Sequence, residues 1–517
     1  MAGTSYIPYP PWAILFCYIP LWYATLKATQ IQRSYKFIFL LGWITQFTLT
    51  LIGFNWIYFT AREFGNLPQF ISLLALVLFA AFIHLYIPAA ITLASYLKKR
   101  FDLSLSAFIF TLAFIHILIE RIWPSIFEWN FGYTLLWIKS PFAQWADTVG
   151  FWGLSALIFL LQAVLFYILI AYQTQKKKCL SLFFLALTFL ATSWLIGRHK
   201  QEHYRSNTNA EISVIMTQAN ISNEEKLQAE KGFSYRDYVL NAYFEETNTE
   251  LNASGKPDFI IWPETALPLA LDKEYHSNKY QSQILNQIRN WDTNLITGAY
   301  SSDLIKKDHL GNSMIRNAVF FLNSQGEFEP PYFKTDLLVF GEYMPFGQEF
   351  PILYKLLPFV GVYEKGPGPV SKKLITLQNT SVLLGPQICY ESLNPGFSRQ
   401  LAKLNNQIFF NLTNDSWFGD WAEPYQHMIM TLARGLENRR PLIRSTNTGI
   451  STTILASGDI LEQSPIYKKW VHTYKIKYNT QPDLTFYARI GYLDWMIWLS
   501  LLLIVLWKGQ NVSHQKS

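Results

Sequence analysis

The chain has 517 residues, of which 50% are apolar, 17% aromatic and 15% charged, with three cysteines. Those proportions exclude a disordered, collagenous or coiled-coil protein, and so small a charged fraction excludes an ordinary soluble enzyme. The net charge of +7 sits largely in short clusters beside apolar runs, which is how membrane topology is specified rather than how nucleic acid is gripped, so no nucleic-acid partner is expected.

A mean hydropathy of +0.11 is too modest for a chain lying wholly in hydrocarbon, so a membrane part joined to a water-facing part is expected. Apolar runs long enough to cross about 30 Å, roughly 20 residues each, lie near 11–28, 37–60, 69–97, 103–123, 149–172 and 179–196. They predict a helical membrane domain over 1–200. A seventh run, 490–507, predicts a C-terminal span within 490–517 whose tail, with Lys508 and Lys516, is cytoplasmic. Lys27, Arg33 and Lys36 follow the first run, Lys98 to Arg100 the third and Lys176 to Lys178 the fifth, so those loops are expected in the cytoplasm and everything after the sixth run outside it. Arg198 and Lys200 oppose this weakly. Glu120 and Arg121 in the fourth run are expected to face protein or the water edge, and His84 and His116 to be satisfied between helices.

Over 205–488 the texture changes to short β-rich runs such as ISVIMTQA, FIIWPE, LITGAY, AVFFLN, TSVLLGPQICYE, IFFNLTND and STTILASG, with helical stretches at 227–250, 279–290 and 424–438. Apolar strands alternating with helices predict a layered α/β domain with covered sheets. His427, Arg434 and Glu437 share one helix face and read as structural ion pairing.

Glu264, Lys334 and Cys389 each close a predicted strand, where open sheets place working groups. Cys389 is the lone thiol of this region, so no disulfide is available to it. A free thiol is mostly protonated near neutrality and needs a base or cation to act as a nucleophile. Glu264 can take the proton and Lys334 can stabilise a thiolate and then an oxyanion, so the sulfur is expected to be ionised between them. No zinc spacing, P-loop or dinucleotide glycine pattern occurs, so neither metal nor cofactor is expected.

Glu in WPE, Lys ahead of FGE and Cys in ICYE, in that order, resemble the Glu-Lys-Cys triad of the nitrilase superfamily. Together with GFNWIYFTAREFGNLP, EWNFGY, the long string from NLTNDSWFGD to STNTGIS, and TFYARIGYLDW, they resemble the bacterial apolipoprotein N-acyltransferase family over nearly the whole chain. The resemblance implies a multi-span membrane domain carrying a nitrilase-like αββα sandwich. It implies Glu264 as general base, Lys334 as transition-state stabiliser and Cys389 as nucleophile. Glu342, Tyr390 and Glu391 support the site, and Trp417 and Phe418 stand at the substrate entrance.

It implies ping-pong acyl transfer from a phospholipid, typically phosphatidylethanolamine, through a thioester to the α-amine of a diacylglyceryl apolipoprotein. The setting is the bacterial inner membrane with the catalytic domain in the periplasm, and a monomer is expected. A membrane-tethered nitrilase-type amidase is the alternative. The chain departs from the family at Leu227, where a Trp is usual, and at Val339, where a Pro is usual. The family usually has eight spans against seven counted here, and SYIPYPPW resembles the loop after its first.

Overall fold

Ser34 and Ser104 begin two of the apolar helices by accepting hydrogen bonds from the Phe37 and Ala107 amides, which satisfies donors that hydrocarbon cannot. The computed structural model describes residues 11–514 apart from 64, 126, 232, 273–278, 308–310, 312, 348, 358 and 359, so most of SYIPYPPW lies outside the described residues. Two compact units result. One comprises residues 1–62, 66–203 and 485–517, and the other 63–65 and 204–484.

In the first unit, six helical segments among the described residues are long and apolar enough to cross a membrane: Tyr35–Gly53, Gln69–Arg100, Leu105–Ile122, Pro141–Ala171, Lys176–Ser206 and Phe486–Gly509. The run at 11–28 departs from expectation. It folds as a 3-10 turn, Pro11–Leu15, followed by a separate 12-residue helix, Ile19–Gln30. At 1.5 Å per residue that helix reaches about 18 Å, short of the hydrocarbon thickness. Pro20 explains the break, because a proline is tolerated in a first turn but cannot continue a preceding helix. Gly150, at φ +69°, kinks the fourth segment where a Cβ would strike the Tyr487 ring at 2.3 Å.

Several polar groups within the apolar helices find partners. Glu120 accepts from the hydroxyls of Tyr86 and Ser155, each at 3.4 Å, and Arg121 pairs with Asp494 at 3.4 Å. His84 meets the Thr50 hydroxyl at 2.7 Å, an interhelical contact as expected, whereas His116 bonds within its own helix to the Leu112 carbonyl at 2.8 Å.

The second unit holds two sheets. Strands β1 (Ala210–Gln218), β2 (Phe259–Ile261), β3 (Leu267–Ala270), β4 (Asn294–Lys307), β5 (Ser313–Leu322) and β6 (Phe328–Phe333) lead to β7 (Lys372–Ile375), β8 (Ser381–Ile388), β9 (Ile408–Thr413), β10 (Leu442–Thr446), β11 (Thr452–Ile454) and β12 (Trp470–Tyr478). The seven-stranded sheet runs β12-β1-β2-β4-β5-β6 with β3 beside β4, and the five-stranded sheet runs β11-β10-β9-β8-β7. Phe321 of the first meets Phe410 of the second edge to face at 6.1 Å, so the sheets share an apolar interior.

Helices Phe233–Ser254 and Lys279–Trp291 cover the other face of the first sheet, where Tyr243, Ile284 and Trp291 join Ile260, Trp262 and Leu295 in one core. Helix Glu423–Asn438 is buried along nearly its whole length. This is the expected αββα sandwich. Helix Pro395–Lys403 and strands β3, β7, β10 and β12 were not among the predicted elements.

Candidate active site

Each of the three predicted residues stands just past the C-terminal end of a strand: Glu264 after β2, Lys334 after β6 and Cys389 after β8. Pro263 has no N–H to continue the ladder, and Thr265 takes a left-handed φ of 46°, so the chain turns sharply at Glu264. Gly298 of β4 permits this, since its amide donates to the Pro263 carbonyl at 3.2 Å and a Cβ there would lie 2.7 Å from Glu264 Cα. The Lys334 amide donates to the Asn317 carbonyl at 2.9 Å, extending β6 along β5 by one residue. Cys389 opens a 3-10 helix, Cys389–Leu393, at φ 49°. A left-handed residue with a side chain costs about 1–2 kcal/mol. Its carbonyl is held by the Ser392 hydroxyl at 2.9 Å and the Asn411 amide at 3.2 Å.

The side chains converge. Lys334 Nζ lies 2.7 Å from Glu342 Oε1 and 3.4 Å from Glu264 Oε1, and Asn317 Nδ2 donates to the same two oxygens at 3.3 and 2.7 Å. The Cys389 thiol is within the fields of Glu264, Lys334 and Glu342, and the Thr413 hydroxyl, which donates to Asp415 Oδ1 at 3.3 Å, lies close enough to favour its ionised form. Burial pushes the Glu264 carboxyl above its ordinary range; Lys334 and the Asn317 amide oppose this, while the charge of Glu342 adds to it. Burial would lower Lys334, but the carboxylates of Glu342 and Glu264 outweigh it and keep the ammonium charged far above its usual range.

For Cys389, burial and then the Glu264 charge raise the thiol well above its ordinary value, with Lys334 and Thr413 only partly offsetting them. The resting sulfur is therefore a thiol, not the thiolate expected from the sequence. Desolvation of an anion beside a carboxylate outweighs one ammonium already shared between two acids.

Glu391, fully buried, ties the lysine and cysteine segments together. It accepts from Tyr332 Oη at 2.7 Å, from the Thr335 amide, from the Asp336 amide at 3.2 Å and from the Ile388 amide at 2.6 Å. Burial pushes it up to about 7, against the pull of these donors. Tyr390, next in sequence to Cys389, is half-buried. Trp417 and Phe418 are half-buried in the loop after β9, the strand paired in parallel with β8, so that loop leaves the sheet at the same edge as Cys389.

Several neighbours carried no sequence signal: Asn317, Thr413 and the buried Lys226, whose Nζ is 3.2 Å from Thr265 Oγ1. A second buried cluster adjoins the site. Asp415 Oδ2 pairs with Arg444 at 2.7 Å, while His427 Nδ1 lies 3.1 Å from Asp415 and 3.4 Å from Glu423. Burial would raise Asp415, but Arg444 and His427 draw it down to about 2. Asp415, Glu423 and His427 present ligand atoms within 4.8 Å of one another, although the Arg444 guanidinium already supplies a cation there. Of the predicted face pairing, Arg434 and Glu437 meet at 3.2 Å, while His427 turns to the acids instead.

A family model described as apolipoprotein N-acyltransferase N-terminal domain matches residues 1–164, and one described as carbon-nitrogen hydrolase matches 238–481. The chain is 45% identical over 512 residues to the apolipoprotein N-acyltransferase of Bdellovibrio bacteriovorus, covering 98% of this chain and 92% of that protein. It is 28% identical over 510 residues to that of Geobacter metallireducens, covering 95% and 91% respectively. Against the Haemophilus influenzae protein of the same name it is 30% identical over 471 residues, covering 89% and 85%.

Proposed function

Because the chain belongs to the apolipoprotein N-acyltransferase family, within the nitrilase superfamily, we propose that it transfers a fatty acyl chain in two half-reactions through a thioester on Cys389. In the first, the Cys389 sulfur attacks the sn-1 ester carbonyl of a phospholipid such as phosphatidylethanolamine while Glu264 takes the thiol proton. Proton transfer accompanies attack, because the resting sulfur is protonated. Lys334 faces the charge that develops on sulfur and carbonyl oxygen. Collapse expels the lysophospholipid, to which Glu264 returns the proton.

In the second half-reaction, the α-amine of a diacylglyceryl-modified N-terminal Cys of an apolipoprotein attacks the thioester. Glu264 accepts the amine proton and the thiol is restored, giving ping-pong kinetics. Trp417 and Phe418 guard the substrate entrance, and Tyr390 packs beside the acyl-enzyme.

The observation that carries this reading is the convergence of Glu264, Lys334 and the Cys389 thiol from the ends of three strands in two sheets. Acyl chains resist leaving the bilayer at about 0.8 kcal/mol per CH₂, so the reaction must occur at the membrane. Six helical segments among the described residues, long and apolar enough to cross a membrane, support a multi-pass membrane protein. Phe346 and Leu356, 71% and 69% exposed in the segment after Lys334, suit contact with lipid.

The basic loops support a periplasmic location for residues 205–488 and a cytoplasmic one for the C-terminal tail. The loss of the first expected span does not alter this, since the alternation from Lys36 onward is unchanged. The protein acts as a monomer in the bacterial inner membrane.

Mass spectrometry of the full-length protein after exposure to phosphatidylethanolamine tests the proposal. Cys389 gains one acyl group, which then passes to a diacylglyceryl lipopeptide amine. A thiol that stays unmodified overturns the mechanism, and a thioester discharged by water as fast as by the amine favours the amidase alternative.

A further inference from the structure

Lys226 lies on helix Asn223–Lys231 and is only 6% exposed, a position lysine rarely occupies. Its ammonium contacts the backbone carbonyl of Glu264 at 3.4 Å and the Thr265 hydroxyl at 3.2 Å. Those two residues form the turn that presents the Glu264 carboxylate, and Thr265 holds the left-handed φ of 46° there. A buried cation is costly unless anions answer it. The anions in its field are Glu264 and Glu230, the latter also bonded by Tyr300 Oη at 3.2 Å.

We propose that Lys226 is a positioning residue for the reaction: it pins the Glu264–Thr265 turn from behind and holds the Glu264 side chain in the carboxylate form a base requires. This rests on Glu264 acting as the base. Burial and the charge of Glu342 both favour a proton on Glu264; Lys334, then the Asn317 amide and then Lys226 oppose them. Lys334 is shared with Glu342, so Lys226 is the second cation that Glu264 needs. The other groups facing this cluster are the Cys389 thiol from β8 and Tyr363, which lies in the fields of Glu342 and Glu230. Burial draws Lys226 down to about 8, which leaves it charged near neutrality.

The test is the rate of Cys389 thioester formation in full-length protein with phosphatidylethanolamine micelles, followed from about pH 6 to 9, for Lys226→Met, Lys226→Arg and Glu264→Gln. Removing the neighbouring charge should move the low-pH limb of Lys226→Met upward by about one unit. The rate then falls roughly tenfold on that limb and is nearly normal at the alkaline end, while Lys226→Arg keeps the wild-type limb.

A Lys226→Met profile that is unchanged, or lowered equally at every pH, overturns the inference. Where Met does not fold, Lys226→Gln takes its place, and failure of both neutral variants beside a folded Arg variant assigns Lys226 a purely structural role. Glu264→Gln separates the two readings. If it forms thioester at the wild-type rate, the base assignment itself falls; if it is inert while the Lys226→Met limb stays put, only the role of Lys226 falls.

Discussion

Lys334 stands closer to Glu342 than to Glu264, 2.7 Å against 3.4 Å, so the ammonium expected to serve the base is tethered first to a different acid. Glu342 is itself anchored, accepting the Leu338 amide at 2.8 Å, so the tether is part of the loop that follows β6. This arrangement keeps Lys334 charged and aimed, at the cost of a second negative charge near Glu264 and Cys389.

Glu342→Gln therefore removes a charge that raises Glu264. The base loses its proton at lower pH, and the acid limb of thioester formation should move down by about one unit. The pH dependence of Cys389 acylation, read by mass, checks this. An unmoved limb would mean that the two acids do not share a field.

A thiol held protonated by burial reacts slowly with alkylating agents near neutrality. Iodoacetamide labelling of Cys389 should keep rising beyond about pH 8.5, the ordinary thiol value. Peptide mapping distinguishes it from Cys17 and Cys179. A plateau already reached at neutral pH would show a resting thiolate.

Glu391→Ala strands the Ile388, Thr335 and Asp336 amides and the Tyr332 hydroxyl in a buried place. Each unsatisfied donor costs about 1–3 kcal/mol before relaxation, so an overall loss of about 3 kcal/mol in thermal unfolding is expected, with a slower thioester step. Glu391→Gln should be milder, because burial already brings the carboxyl to about 7 and a neutral isostere keeps one acceptor.

Arg444→Met should destabilise the protein by about 3–5 kcal/mol, since it removes the guanidinium that answers Asp415 and leaves that charge with only His427 beside Glu423. Asp415 is drawn from its ordinary 3.8 to about 2, so its paired form stabilises the fold above about pH 4 and that contribution disappears as pH falls through 2. Unfolding followed against pH should show a larger acid-dependent loss in wild type than in the variant, where only His427 still faces Asp415.

The amino-acid order alone determined the apolar spans, the covered α/β layers and the three strand-end residues, because hydropathy and strand-to-turn changes are properties of neighbouring residues. Tertiary structure decided the rest. The first apolar run looked continuous by composition, but backbone sterics at Pro20 divide it into a turn and a short helix. Asn317, Lys226 and Arg444 are unremarkable in their own segments and acquire meaning only where β5, a helix and β10 bring them beside Glu264 and Asp415. The protonation of Cys389 also lay beyond the sequence, because it depends on how much water the folded site excludes and on how two acids divide one ammonium.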